Sequence, residues 1–390
     1  MSELRLEGVP GPVSLYLHFP FCEHRCHYCD FSVHRAARAP VENWLECIEL
    51  ELGQWLERCG WDRPLPLETV FVGGGTPSLM GPAMKRLAAL LERYAGLVAS
   101  AVEWTAESNP ASLTKAVARS WREAGVNRLS VGVQSFDDGV LRWLGRLHDA
   151  DGARAALAAA RAAGFESLNA DLIFGLPVSE RRRWQDEVQM ALDAGVTHVS
   201  TYGLTVEPST PLGRRVGAGD VVMPSGDRYS EEYAAAAEAL GRAGFVHYEV
   251  SNFALPGHEC AHNWHYWDGS PYLGLGPSAH GYVGGNRVWN VFSWEAYRKI
   301  LAGGGSPIEG HETLGAGESR VERLWLALRT NRGLPAGDPL AEHLLESAPD
   351  LLASWRQAGW LEIDGPGIRL TEAGWLRMDE LVAALGAIGG

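Results

Sequence analysis

The sequence contains no run of about 18 consecutive apolar residues, the least that crosses a bilayer as a helix. Its opening stretch, MSELRLEGVPGPVS, lacks the basic start and apolar centre of a secretory signal. The expectation is a cytoplasmic protein. Positive charge is in short supply: 34 Lys and Arg face 48 Asp and Glu, a formal net charge of -14. That balance argues against a protein that tracks nucleic-acid phosphates, so nucleic acid is not an expected partner. Cysteine is scarce too. Six in 390 residues are too few to staple a chain of this length with disulfides. Apolar residues are not lacking: at 46% hydrophobic the chain can bury a large core and has room for two or three domains.

Three of the six cysteines cluster. SLYLHFPFCEHRCHYCDF, residues 14–31, places Cys22, Cys26 and Cys29 in a C-x3-C-x2-C pattern. Cys47 and Cys59 fall on an apolar-periodic helix and read as small hydrophobes, whereas Cys260 lies in the His- and Trp-rich HECAHNWHYW. Two metal readings fit the cluster. Zinc needs four ligands, which His24, His27 or His34 would complete as Cys3His. An iron-sulfur cubane can be held by three thiolates with its fourth iron left to another ligand. Spacing alone leaves both open.

From residue 14 to about 250, β-rich runs alternate with helical patterns, which predicts an α/β fold with a mostly parallel sheet. Strands are expected at 14–18, 69–73, 103–107, 128–133, 168–174 and 198–204. Helices are expected near 41–58, 81–95, 112–124, 151–163, 180–194 and 226–243. Six such units fit a partial (β/α)6 TIM-like barrel, whose chemistry sits at the C-terminal ends of the strands. The polar punctuation falls there: the cysteine loop, GGGTPS, Glu107 before SNP, Gln134, and Asp171 before FGLP. Asp171 stands out as a carboxylate inside an otherwise apolar strand, costly to bury without partners. The expected division is a barrel over 1–250, a His- and aromatic-rich binding segment with linker over 251–305, and a mainly helical, winged-helix-like module over 306–390. The 252–290 stretch shows no sustained period and reads as loop or short strands.

Y-x-H-F-P-F-C from Tyr16 to Cys22, Tyr28 just before the third cysteine, and the glycine turn one unit later together resemble the radical S-adenosylmethionine (SAM) superfamily. Within it, the chain is most similar to the oxygen-independent coproporphyrinogen III oxidase (HemN-like) family, from Tyr16 to the C-terminal module. The resemblance implies a 4Fe-4S cluster held by Cys22, Cys26 and Cys29, with SAM on the open iron. It implies Tyr16 and Tyr28 as neighbours of cluster and SAM, Gly74, Gly75 and Thr76 as the SAM-contacting turn, and Glu107, Gln134, Arg146 and Asp171 as polar SAM-binding positions.

Two features pick a branch. The decarboxylating enzymes carry a further cysteine where this chain has Phe31, and a longer extension than the 21 residues that precede Cys22 here. His262, Asn263, Tyr266 and Trp267 resemble the H-N-x-x-Y-W motif of the HemW-like haem chaperones. That branch implies haem as cargo, His262 as its ligand, and transfer to acceptor apoproteins, membrane respiratory components among them. His258, Cys260, His265 and His280 are secondary ligand candidates, and a homodimer is compatible. The alternative is a radical enzyme acting on a tetrapyrrole, by decarboxylation of coproporphyrinogen III, methylation or ring opening. A winged-helix regulator gains little from so acidic a chain.

Overall fold

Six parallel strands form where the β-rich runs occur: β1 (Ser14–Phe19), β2 (Thr69–Gly74), β3 (Glu103–Ser108), β4 (Arg128–Gln134), β5 (Ser167–Phe174) and β6 (His198–Gly203). The computed structural model describes residues 6–96, 102–180 and 182–388. Each strand pairs with the next in sequence, in registers such as Ser14↔Thr69, Thr69↔Glu103 and Asn169↔His198. Between them run α1 (Val41–Cys59), α2 (Met84–Ala95), α3 (Lys115–Ala124), α4 (Asp138–Leu144), α5 (Ala150–Ala162) and α6 (Trp184–Asp193), and after β6 come α7 (Pro211–Gly217) and α8 (Gly226–Arg242). The short α4 and α7 were not expected from the sequence; each is only two turns long and is started by an Asp or Thr side chain that accepts from a first-turn amide.

Alternation along the strands explains the two faces of the sheet. Leu15, Leu17 and Phe19, Val70 and Val72, Leu129 and Val131, Leu168, Ala170 and Leu172 are fully buried against the helices. The intervening positions are polar or aromatic: Tyr16 and His18, Phe71, Glu103 and Glu107, Arg128 and Ser130, Asn169 and Asp171, His198, Ser200 and Tyr202. A closed TIM barrel fills its interior with apolar layers. This one keeps a polar interior, and the barrel is partial: the sheet has twelve strands and two free edges.

The His- and aromatic-rich stretch adds to that same sheet. β7 (Val246–Glu249) and β8 (Asn252–Ala254) extend the β6 edge, while β9 (Tyr272–Leu275), β10 (His280–Val283), β11 (Asn286–Asn290) and β12 (Ile308–Thr313) extend the β1 edge, giving the order β12-β11-β10-β9-β1-β2-β3-β4-β5-β6-β8-β7. The segment is pinned by Glu51 of α1. That carboxylate, with no exposed surface, accepts from the Gly276 amide (2.9 Å), the Asn290 Nδ2 (2.6 Å) and the Tyr297 hydroxyl (2.5 Å). The pin joins residues more than 220 positions apart and leaves no local trace in the sequence.

Between β8 and β9 lies α9 (Ala261–Trp267), and α10 (Trp294–Ala302) follows β11. α11 (Ala316–Leu328), α12 (Pro339–Ser347), α13 (Pro349–Gln357), the hairpin β13 (Leu361–Asp364) and β14 (Gly367–Leu370), α14 (Glu372–Trp375) and α15 (Met378–Gly386) enclose a second core of Leu324, Leu328, Leu344, Leu352, Trp355, Ile368 and Leu381. The helices with a two-stranded hairpin make the winged-helix-like module. It rests on the β7 edge through Val250 N to Arg329 O and Asn331 N to Tyr248 O, both 3.0 Å. No helix among the described residues is long and apolar enough to cross a membrane.

Candidate functional site

The C-terminal ends of β1 to β6 surround a cavity of about 500 Å³. Cys22, Cys26, Tyr28, Cys29, Gly74, Gly75, Thr76, Glu107, Gln134, Arg146 and Asp171 all line it. The three thiols are partly exposed to it. The Thr76 hydroxyl donates to Cys22 Sγ at 3.3 Å, and Arg146 Nη1 donates to Cys26 Sγ at 3.5 Å. Burial pushes the Cys22 thiol up to about 11, with Thr76 pulling against it. Burial also works against the charge of Arg146, but Tyr28 and the Cys26 and Cys22 sulfurs hold its pKa above the ordinary value. Its Nη2 donates to Gly132 O at 2.8 Å, while its Nε is buried without a partner. Three thiols beside an underused buried cation suit an anionic iron-sulfur group. Of the histidines that a Cys3His zinc site would draw on, His34 pairs with Glu295 at 3.2 Å.

The glycine turn is required by the chain's own crossing. Gly75 N donates to Phe19 O and Thr76 N to Phe21 O, both at 2.8 Å, which stitches the turn to the peptide entering Cys22. A Cβ on Gly75 would stand 2.7 Å from Phe21 O and 2.8 Å from Phe19 O, backbone atoms that cannot swing aside. Gly75→Ala is therefore expected to displace the Phe21–Cys22 peptide and cut iron incorporation at least several-fold. Iron and sulfide quantification after anaerobic reconstitution would show it; unchanged loading would contradict this account.

The sides and depth of the cavity carry a polar network. Asp171 accepts from Ser130 Oγ (3.0 Å) and from Asn169 Nδ2 (2.8 Å), and burial raises its pKa despite those bonds. Glu107 accepts from Gly74 N at 3.0 Å; burial and the nearby Asp171 raise it to about 7. Gln134 ends β4 with φ 67, a left-handed backbone at a bulge in the β4–β5 register, the kind of local strain often held at sites. Arg128, Ser130, Asn169, Ser200 and Tyr202 also line the cavity. The sequence reading missed them, although each stands two residues from another lumen residue in a strand of period two, a signal that was available.

The raised Glu107 has a measurable sign. A carboxyl whose folded pKa lies above its unfolded value near 4.5 is taken up neutral, so stability falls as pH rises from about 4.5 to about 7. Glu107→Gln keeps an acceptor for Gly74 and removes that penalty. Its unfolding free energy relative to the parent is expected to rise between pH 5 and pH 8, by up to about 3 kcal/mol and by less where cavity water screens the carboxylate. Urea titrations at the two pH values measure it, and a difference independent of pH would refute the assignment.

Two expected residues lie elsewhere. Tyr16 is not among the lining residues of the thiol cavity; its hydroxyl bonds His18 Nδ1 at 3.0 Å and its ring faces a second, larger cleft. His262, expected as the haem ligand, lines neither space. It is 1% exposed, with Nδ1 bonded to Thr69 Oγ1 (2.7 Å) and Nε2 to Tyr266 Oη (2.9 Å). Burial lowers its pKa to about 3, so it is a neutral imidazole with both nitrogens in use. The cause is α9, a helix where loop or short strands were expected. Its first amides, Ala261 N and His262 N, donate to the Glu103 carboxylate of β3 at 3.1 Å. This helix start is supplied from 158 residues away, which local pattern cannot show. α9 thus plugs the N-terminal end of the barrel, with Asn263 facing the lumen and Trp264, Tyr266 and Trp267 facing the larger cleft.

That cleft, of about 1310 Å³, lies between α9, the β9–β10 pair and the start of the C-terminal module. Tyr266, Tyr272, His280, Tyr282 and Arg332 are among its walls. Asp30 and Phe31, from the cysteine loop, line both it and the thiol cavity. Phe31 is 62% exposed.

Residues 16–191 match the family model described as the radical SAM superfamily. The chain is 41% identical over 386 residues to the heme chaperone HemW of Mycobacterium tuberculosis, covering 97% of this chain and 96% of that protein. It is 34% identical over 375 residues to the heme chaperone HemW of Bacillus subtilis, covering 95% and 98%. Among solved structures, coproporphyrinogen III oxidase from Escherichia coli, a radical SAM enzyme, superposes with a TM-score of 0.78 at 24% identity, covering 97% of this chain and 91% of that one; this likeness shows the fold. The cavity ringed by three thiols and the identity sustained along nearly the whole chain agree: this protein belongs to the heme chaperone HemW family of the radical SAM superfamily.

Proposed function

We propose that this protein binds haem and hands it to acceptor proteins while retaining a 4Fe-4S cluster and a SAM-binding cavity. The observation that carries the reading is the pairing of two spaces around one residue. Phe31 occupies the place where the decarboxylating relatives are expected to carry a further cysteine, and it lines both the thiol cavity and the larger, aromatic-walled cleft. An aromatic cleft with an imidazole and guanidinium groups suits a flat macrocycle with an iron centre and carboxylate tails.

Cys22, Cys26 and Cys29 would hold the cluster, with Arg146 balancing its negative charge. Thr76 and the Gly74–Gly75 turn would keep Cys22 in place, and Tyr28, Gln134, Glu107 and Asp171 would receive SAM in the lumen. When bound, cluster and SAM together supply one-electron chemistry. Glu107 and Asp171, kept apart from bulk water, would meet the cationic part of that ligand, so its affinity should rise with pH as Glu107 ionises around 7. The wide mouth of the cleft fits cargo that must leave again; acceptor apoproteins, including membrane respiratory components, and a homodimer belong to this proposal.

The complete set of lumen residues supports a second reading, a radical enzyme working on a tetrapyrrole. Titrating haem into the anaerobically reconstituted protein, with release of carbon dioxide from coproporphyrinogen III followed in parallel, separates the two. Saturable, near-stoichiometric haem binding without decarboxylation is expected. Sustained decarboxylation would overturn the chaperone reading.

A further inference from the structure

Three arginines line the thiol cavity. Arg25 and Arg146 belong to its mouth, where they bond Cys29 O and Cys26 Sγ. Arg128 belongs to its floor: it starts the strand that Gln134 ends, which sets its backbone about 20 Å deeper along β4. It is 3% exposed, and its side chain makes no hydrogen bond or ion pair among the described residues, with Nε fully buried and unmet. A guanidinium carries five N–H donors, and burying it without a partner is costly. Burial works against its charge, but Cys260, Glu103, Tyr248 and Asp171 hold its pKa above the ordinary value. It is therefore a cation with nothing bound to it.

Other polar groups of the floor are engaged. The Glu103 carboxylate accepts from Ala261 N and His262 N, and the Cys260 thiol is directed at it. His198 bonds Asn169 Oδ1 at 2.7 Å and the Tyr248 hydroxyl at 2.9 Å, which uses both ring nitrogens. Asn252 differs. It stands opposite Ser200 across the β6–β8 pair and is 4% exposed; its Nδ2 donates to Glu249, while its Oδ1 is buried without a partner. Arg128 and Asn252 both line the cavity, so the lumen offers one unpaired cation and one unfilled acceptor.

Those two groups describe a ligand. The planar guanidinium fork matches a carboxylate. Glu103 and Asp171 stand close enough to act on Arg128, so a second negative charge would be repelled. The unfilled Asn252 carbonyl calls for a proton donor on the same ligand. The whole cavity is about 500 Å³, and with its mouth given to the cluster and SAM the remainder admits only a small molecule.

We propose that the floor of the lumen binds a small monocarboxylate bearing a hydroxyl or ammonium on the neighbouring carbon, its carboxylate on Arg128 and its donor on Asn252 Oδ1. This site is separate from the place given to SAM at the other end of the strands. It goes beyond the haem-transfer reading and does not depend on it.

The test titrates the full-length, anaerobically reconstituted protein with glycolate, glycine, acetate and inorganic phosphate, following binding by ligand-observed nuclear magnetic resonance and by the melting temperature. Glycolate or glycine is expected to bind saturably, at least about fivefold more tightly than acetate or phosphate, and to raise the melting temperature. Saturating SAM should leave that affinity within about twofold. Arg128→Met should keep its iron-sulfur content and bind the better of the two at least about tenfold more weakly. Arg128→Lys, which keeps the charge and loses the fork, should weaken it several-fold and serves if the Met variant does not fold. Absence of saturable binding by all four probes would overturn the proposal, as would an affinity unchanged by both substitutions. Acetate binding as tightly as glycolate and glycine would remove the role of Asn252, and displacement by SAM would show that the floor is not a site of its own.

Discussion

Serine in place of Cys26, or of Cys22 or Cys29, is expected to leave a folded protein with essentially no cluster. All three cysteines lie in the loop between β1 and α1, outside the main apolar core, and each is partly exposed. A serine hydroxyl is slightly smaller than a thiol and can accept the bond from Thr76 or Arg146, so stability should change by no more than about 1 kcal/mol. Iron binding should respond far more strongly. A cubane held by three thiolates already leaves one iron to an exogenous ligand, and a second unprotected iron makes it labile. Iron and sulfide should fall to background, the reconstituted visible absorption should vanish, and the urea midpoint should barely move. Retention of a full cluster by any single variant would mean that these three residues are not its complete protein ligand set.

The largest effect on the fold is expected from Glu51→Ala. Its carboxylate joins α1 to Gly276, Asn290 and Tyr297, all inside the protein. Burial raises its pKa to about 7, against hydrogen bonds from Tyr297, Gly276 and Asn290 that pull it down. Alanine leaves those donors facing a cavity, a loss of about 3–5 kcal/mol even after relief of the buried charge. Because Gly276 and Asn290 anchor the strands that carry Tyr272, His280 and Tyr282, haem affinity should fall along with stability. Glu51→Gln imitates the neutral carboxyl and should recover most of both. Relative to the parent its stability should rise from pH 5 to pH 8, since the parent carries a growing buried charge through that window. Denaturant midpoints and haem titrations of the three proteins measure these effects; an alanine variant as stable as the parent would show that the pin is dispensable.

The barrel was legible because its strands and helices are locally consistent. TVFVG, RLSVGV and LNADLIF read as strands from their own residues, and the loops that follow them gather at one end by the logic of the fold. The cavity residues Cys22, Cys26, Cys29, Glu107, Gln134, Arg146 and Asp171 were therefore found together, as their places in the sequence implied. What was not legible depends on contacts between distant residues. α9 begins on the carboxylate of Glu103, so AHNWHYW shows no helical period of its own. His262 bonds Thr69 of β2, a partner no reading of its neighbours supplies. Tyr16 was placed by motif order, but alternation along β1 and its bond to His18 turn it toward that cleft.

The most direct test of the account is delivery. The protein, reconstituted anaerobically and loaded with haem, would be mixed with an excess of an apo haem protein, and the spectrum of the acceptor followed against that of free haem. The account predicts near-complete, saturable transfer from the loaded protein, with no decarboxylation of coproporphyrinogen III by the same preparation. Haem that stays bound indefinitely, or a preparation that turns over coproporphyrinogen III, would contradict it.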